Sequence, residues 1–438
     1  MPKFEQRQKR QYRHHKAPHS RWQWIVSGIL ILGALVLLLA WRMPSLFGSL
    51  GIGGPTANQQ ALREMPKDSI KMNNQGFLSV PKNKPSKFYR QSDVNISYPN
   101  DGVKGIYLSA YGMGQPQLLE KNLKLVEDTG LNSVVIDVKS DWGSIATPLT
   151  TDNELINKNV DQTFDGKTLM KRLEKSQIYP IARITTFKDN TVTSEHPEWS
   201  FREASGEVWT DAGGQSFLNP FNKDAWKYIV DIAKGAAQLG FKDIQFDYVR
   251  FPEGFETFAE SLNYDMGDYA EYGKGSVEAR QHAIADFLSY ANKELREYGV
   301  DVSADLFGYV ATTKSAPGIG QNYQMMAEQV DHISGMIYPS HWQAGDFGYP
   351  APDKEPYGVV NQYIQVEKAN LEELGKNATK KPRPWLQAFT ADYLGSGMYM
   401  EYDTQAVQDQ INALADNDIH EYLLWNAAND YDPNVDYK

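Results

Sequence analysis

Asp247 and Arg250 stand three residues apart in "IQFDYVRFP", residues 244–252, whose other residues are mostly aromatic or β-branched and predict a strand. Alternate residues of a strand share a face. One face carries Ile244, Phe246 and Tyr248 and suits packing against helices; the other carries Gln245, Asp247 and Val249. The arrangement recurs along the chain. "VVIDVK" sets Val135, Asp137 and Lys139 on one face, "IARITT" places Arg183 with Thr185, and "VSADLF" places Ser303 with Asp305. "MIYPSHW" presents Tyr338, with His341 and Trp342 just beyond, "PWLQAF" presents Gln387, and the last strand ends in Trp425 and Asn426. Polar residues thus gather late in the strands, on one face.

A buried charge without a partner is costly, so such a collection needs a shared reason. The plainer one, for any single residue, is an ion-pair network that closes the sheet. The sharper one is glycosidic bond hydrolysis, which uses two carboxyl groups flanking the scissile bond. Asp247 and Asp305 occupy equivalent late positions of the fourth and fifth strands. Neighbouring strands lie ~4.8 Å apart, so their carboxyl groups can approach the ~5–5.5 Å of a retaining pair. An arginine beside Asp247, Arg183 or Arg250, would keep it ionised, and Asp305 would have to be the protonated acid. Asp137 is the rival second carboxylate. Lys139 beside it should keep it ionised, which suits substrate binding better. Aromatic residues make up 12% of the chain. Tyr107, Tyr111, Trp142, Trp209, Tyr248, Tyr309, Tyr338, Trp342 and Trp425 fall in or near the strands, where flat rings can stack on sugar or simply fill a core.

The elements that must hold these groups alternate. Strands at 105–111, 133–140, 179–187, about 241–252, 300–308, 332–342, 384–390 and about 421–430 are each separated from the next by a helical segment. Gly130 and Gly240 follow two of the helices as plausible C-caps. Eight such units imply a parallel sheet and fit a (β/α)8 TIM barrel, whose active sites lie at the C-terminal ends of the strands. A doubly wound open sheet is the alternative, but no glycine-rich phosphate motif follows the first strand.

The N-terminus has another character. Residues 1–21 form a basic tail, and "WQWIVSGILILGALVLLLAW", residues 22–41, is long and apolar enough to cross a bilayer, with tryptophans at both ends. The positive-inside bias leaves the N-terminus cytoplasmic and exports the remainder as a cell-membrane, single-pass protein. A cleaved signal peptide fits less well, because the run is long and no A-x-A site follows. Residues 42–100 read as a polar linker and 101–438 as the barrel domain. Residues 1–42 hold eight Lys and Arg against one Glu, so the rest carries about −18 of the −11 total. An acidic domain argues against nucleic acid as a partner, because phosphate binding needs a basic face. The chain has no cysteine, so disulfides, zinc–thiolate sites and cysteine nucleophiles are excluded. No H-E-x-x-H occurs, and "NDYDPNVDY" lacks the Gly and terminal Glu of a calcium loop, so neither metal nor cofactor is expected.

The blocks "VVIDVKSDWG", "IARITTFKD", "FKDIQFDYVRFPEG", "VSADLFGY", "GIGQ", "MIYPSHW", "PWLQAF" and "LLWNAANDY" resemble, in order from about Lys104 to Tyr431, a bacterial family of glycoside-hydrolase-like barrel domains of unknown function. The resemblance implies a TIM barrel akin to sugar hydrolases and points at Asp247 and Asp305 by strand position. Where that family often has an Asp after the Gln of the seventh strand, this chain has Ala388. It also differs from barrel glycosidases with a catalytic Glu on strand seven. The expected partner is a polysaccharide or peptidoglycan-type glycan. A non-catalytic carbohydrate-binding or scaffold barrel, its carboxylates bonding to sugar hydroxyls, remains the alternative.

Overall fold

A computed structural model describes residues 92–375 and 382–438, together with one antiparallel pairing, Lys71–Met72 with Leu78–Ser79, in a separate unit spanning Met1–Lys84. The proposed membrane segment, residues 22–41, lies outside the described residues. Among those described, no helix is long and apolar enough to cross a membrane.

Eight parallel strands close into a barrel. In chain order they are β1 (Lys104–Leu108), β2 (Ser133–Lys139), β3 (Tyr179–Thr185), β4 (Asp243–Asp247), β5 (Asp301–Phe307), β6 (His332–Met336), β7 (Trp385–Gln387) and β8 (Tyr422–Trp425). β8 pairs with β1 and completes the ring. The connecting helices are α1 (Pro116–Asp128), α2 (Gly166–Ser176), α3 (Lys223–Leu239), α4 (Val277–Leu295), α5 (Tyr323–Ala327), α6 (Pro356–Glu372) and α7 (Thr404–Ala415). Their starts are set locally. Asp165, Asn222, Ser276 and Asp403 accept hydrogen bonds from the first free N–H groups of α2, α3, α4 and α7, while α1 and α6 begin on Pro116 and Pro356.

The strands are almost wholly buried, as a parallel sheet covered by helices requires. Gly240 caps α3 at φ 134°, and a Cβ there would meet Val94 Cγ2 at 2.6 Å. Gly130 does not cap α1. The cap is Thr129, in extended conformation, and Gly130 instead admits the C-terminal backbone, since a Cβ would lie 2.8 Å from the Tyr437 carbonyl carbon. Residues 94–98, within the stretch whose composition reads as linker, lie against the base of the barrel. There Ile96 is buried, the Asn95 N–H donates to Glu174, and the Tyr98 hydroxyl donates to Glu421.

Candidate active site

Strand register assembles the site. Asp137 on β2 is level with Arg183 on β3, and Thr185 on β3 is level with Asp247 on β4. Phe246 on β4 is level with Ala304 on β5, so Asp247 and Asp305, each one residue further on, are neighbours in the same layer. All lie at the C-terminal ends of their strands.

The centre is one guanidinium. Arg183 donates from Nε and Nη2 to Asp247 Oδ2 at 2.8 and 2.6 Å, from Nη1 to Asp137 Oδ1 at 2.7 Å, and from Nη2 to Asp141 Oδ1 at 3.3 Å. Asp141 also accepts from the Thr185 hydroxyl at 2.9 Å. Asp247 Oδ1 accepts from the Tyr248 N–H at 2.6 Å. Two Arg183 donors thus converge on one oxygen of Asp247 in a buried, charge-assisted ion pair. The partner is Arg183; Arg250 bonds instead to Glu253 and to the Phe251 carbonyl.

Asp305 sits differently. Burial pushes its carboxyl well above the usual range, and the Asp247 charge beside it pushes the same way. The Trp385 indole N–H, donated to Oδ1 at 2.9 Å, opposes the shift. One carboxyl group is thus paired with a cation and its neighbour is driven toward the neutral acid, the division of labour a two-carboxyl hydrolysis needs.

Asp137 does not meet Lys139. Burial raises its pKa, against the Arg183 charge and the Tyr107 hydroxyl, which donates to Oδ2 at 2.5 Å. A register shift between Asp137 and Lys139 breaks the alternation. Lys139 is fully buried beneath the loop after β3, paired with Asp189 at 3.0 Å and donating to the carbonyls of Thr185 and Lys188. It therefore braces that loop and has no surface to offer a substrate.

Rings form one wall. Trp425 stacks on Tyr107 at 4.0 Å and meets Trp385 edge-on at 5.6 Å, with the Arg183 guanidinium 5.4 Å from its centroid. Tyr338 is buried near both carboxyl groups; burial, then the Asp305 and Asp247 charges, holds its phenol protonated. His341 lies edge-on to Tyr338, exposed at the mouth. The strand alternation sends Tyr248 outward, yet it stays at the mouth. β4 ends at Asp247, and Tyr248 takes φ 48°, a left-handed conformation that is strained for an aromatic residue.

Three further predicted residues brace the site. Trp342 turns away and packs against Phe347 and Tyr363 of α6. Gln387 is fully buried and ties the Asp353 carboxylate to the Ser340 N–H. Asn426 donates to the Ala388 and Asp430 carbonyls and fixes the turn after β8.

Asp141 and Trp385 are the residues missed. Trp385 shares its strand face with Gln387, two residues on, so period two pointed to it. Asp141 lies beyond the end of β2, where no periodicity applies.

At the opposite end of the barrel, Asp243, Asp301 and His332 place ligand-type atoms within 4.8 Å of one another. Arg383 already supplies the cation there, bound to Asp243 at 2.6 Å with both residues fully buried. This cluster ties the strand starts together.

Residues 105–431 match the model of a family described as "Putative glycosyl hydrolase domain". No curated protein matches the sequence. Among solved structures, the chain is similar to a hypothetical protein from Ruminiclostridium thermocellum, at 30% identity over 46% of this chain and 96% of that one, with a TM-score of 0.40. It is also similar to the PgaB (BpsB) glycoside hydrolase domain from Bordetella bronchiseptica, at 14% identity over 75% of this chain and 94% of that one, with a TM-score of 0.50; that likeness concerns the fold.

Proposed function

The chain belongs to this glycosyl hydrolase domain family, and from that premise we propose that its barrel cleaves glycosidic bonds with Asp305 as acid and Asp247 as the ionised carboxylate. The observation that carries the reading is the contrast between the two groups: Asp247 in a buried ion pair with Arg183, and Asp305 buried beside that charge with its pKa driven up. Asp305 donates a proton to the leaving oxygen. Asp247 stabilises or attacks the developing oxocarbenium centre. Arg183 holds Asp247 in place, and Trp425 and Tyr107 offer a stacking wall for a sugar ring.

The substrate in this reading is a cell-wall or surface polysaccharide. Its support is the sequence of residues 1–41, which would anchor the chain in the membrane with the barrel outside. Cell fractionation with protease protection tests the anchor, and recovery of the intact chain in the soluble cytoplasm would refute it. Reducing-end release by the full chain over a polysaccharide and peptidoglycan panel tests the chemistry. Asp247→Asn and Asp305→Asn should each lower the rate by about 10²–10⁴. Binding of a glycan by the wild type without any release would move the chain to the non-catalytic reading.

A further inference from the structure

Lys139, Arg183 and Arg383 are buried cations, and each meets a carboxylate. Lys188 is different. It is 7% exposed, and among the described residues its ammonium makes no ion pair and no hydrogen bond. It lies 4.4 Å from the ring centroid of Tyr248. The Arg250 guanidinium lies 4.9 Å from the same centroid and 5.1 Å from that of Phe307.

This juxtaposition is built. The loop after β3 is tied to the end of β4 through Thr186 N–H to the Asp247 carbonyl at 2.8 Å and Phe187 N–H to the Tyr248 carbonyl at 3.3 Å. Lys139 holds the Lys188 carbonyl from below. The left-handed backbone of Tyr248 then keeps its ring beside both cations, one residue from Asp247. The acids around Lys188 are engaged elsewhere. Asp141 bonds to Arg183 and Thr185, Asp247 to Arg183 and the Tyr248 N–H, and Asp211 to the N–H groups of Gly213 and Gln215.

We propose that Lys188 and Arg250, carried on the Tyr248 ring, form a subsite for an anionic group on the glycan, such as the carboxylate of an acidic sugar. The Lys188 ammonium has given up part of its hydration for the face of the Tyr248 ring and has no hydrogen-bond acceptor in exchange. Burial accordingly lowers the Lys188 pKa, against the Asp141 charge. An anion at this point would restore the missing bond in charge-assisted form. The ring gives both cations a favourable face and leaves the Lys188 N–H groups for the ligand, while Arg250, which bonds to the Phe251 carbonyl and to the exposed Glu253 carboxylate, adds its positive charge beside them. The inference rests on the glycosidase reading of this mouth and adds the substrate class to it.

Ligand-observed NMR titration of the full chain with D-glucuronate, glucose 6-sulfate and D-glucose tests it, without requiring turnover. At least one acidic sugar should bind about tenfold more tightly than glucose, and the pair of probes separates carboxylate from sulfate preference. Lys188→Met should erase that preference with an unchanged melting temperature. Arg250→Lys should weaken it in part. Acidic sugars binding no better than glucose, including no binding by any probe, would overturn the proposal, as would a preference that survives in Lys188→Met. The two readings fail separately. A persisting acid-sugar preference with no hydrolysis of any glycan would remove the hydrolase and leave the subsite. Hydrolysis that is indifferent to acidic groups would do the reverse.

Discussion

Trp385 sets how strongly Asp305 holds its proton, and removing one N–H should show it. The indole donates to Asp305 Oδ1 at 2.9 Å and is the largest influence lowering that pKa. A hydrogen bond to a charged acceptor contributes about 1.5–3 kcal/mol and one to a neutral acceptor about 0.5–1.5. By the midpoints of those ranges Trp385→Phe favours the neutral acid by about 1.25 kcal/mol, which at 1.36 kcal/mol per unit raises the pKa by about one. The alkaline limb of kcat should move to higher pH by about one unit. That limb belongs to the Asp305–Asp247 pair, so it is read as one macroscopic value. A carboxyl-carbon NMR titration of the same variant should show the same displacement without substrate. Stability has a matching sign. A raised folded-state pKa contributes stability that is present below the ordinary carboxylate value and lost as pH rises from there to the folded value, so in the variant the loss should begin at the same pH and continue to about one pH unit higher. Trp425→Phe is the control. It replaces an indole of the same wall with a phenyl ring, but Trp425 makes no hydrogen bond to Asp305, so the limb should stay in place. An unmoved limb in Trp385→Phe, or one displaced to lower pH, would refute this account of the acid.

Arg183→Met strands Asp137 and Asp247 in a buried site and should cost about 3–5 kcal/mol in urea unfolding; adding Asp137→Asn should recover part of it, and strict additivity would mean that the guanidinium does not couple the two strands. Glu367 on α6 is fully buried between the Tyr323 and Tyr363 hydroxyls, and burial pushes its pKa up to about 7. Its stabilising contribution is present below the ordinary carboxylate value near 4.5 and is lost as pH rises to about 7, a change on the order of 3 kcal/mol. Glu367→Gln should flatten the melting temperature over that window, and an unchanged slope would exclude the residue as its source.

The barrel was legible because alternation of strand and helix is written in apolar periodicity, and the outward faces of β2 to β5 follow it closely. The site was legible in types but only partly in partners. Asp247, Asp305, Asp137 and Arg183 could be named because period two sends them to one face. Which arginine meets Asp247 could not, since the choice rests on register across strands: Thr185 beside Asp247 brings Arg183 inward, while Arg250, three residues past the strand end, turns to Glu253. The same limit explains Lys139. Two residues beyond Asp137 it should share that face, but a register shift between them sends it beneath the next loop. Period two fails at the mouth because the strands stop there, as Tyr248 shows with its left-handed turn directly after the central carboxylate. Strand ends are therefore where sequence periodicity gives out and where the chemistry gathers. The two facts share a cause. A regular strand presents only every second side chain to the barrel, whereas a backbone that breaks from extended geometry directly after Asp247 also brings the next residue's ring to the mouth, and with it the two cations that rest on Tyr248.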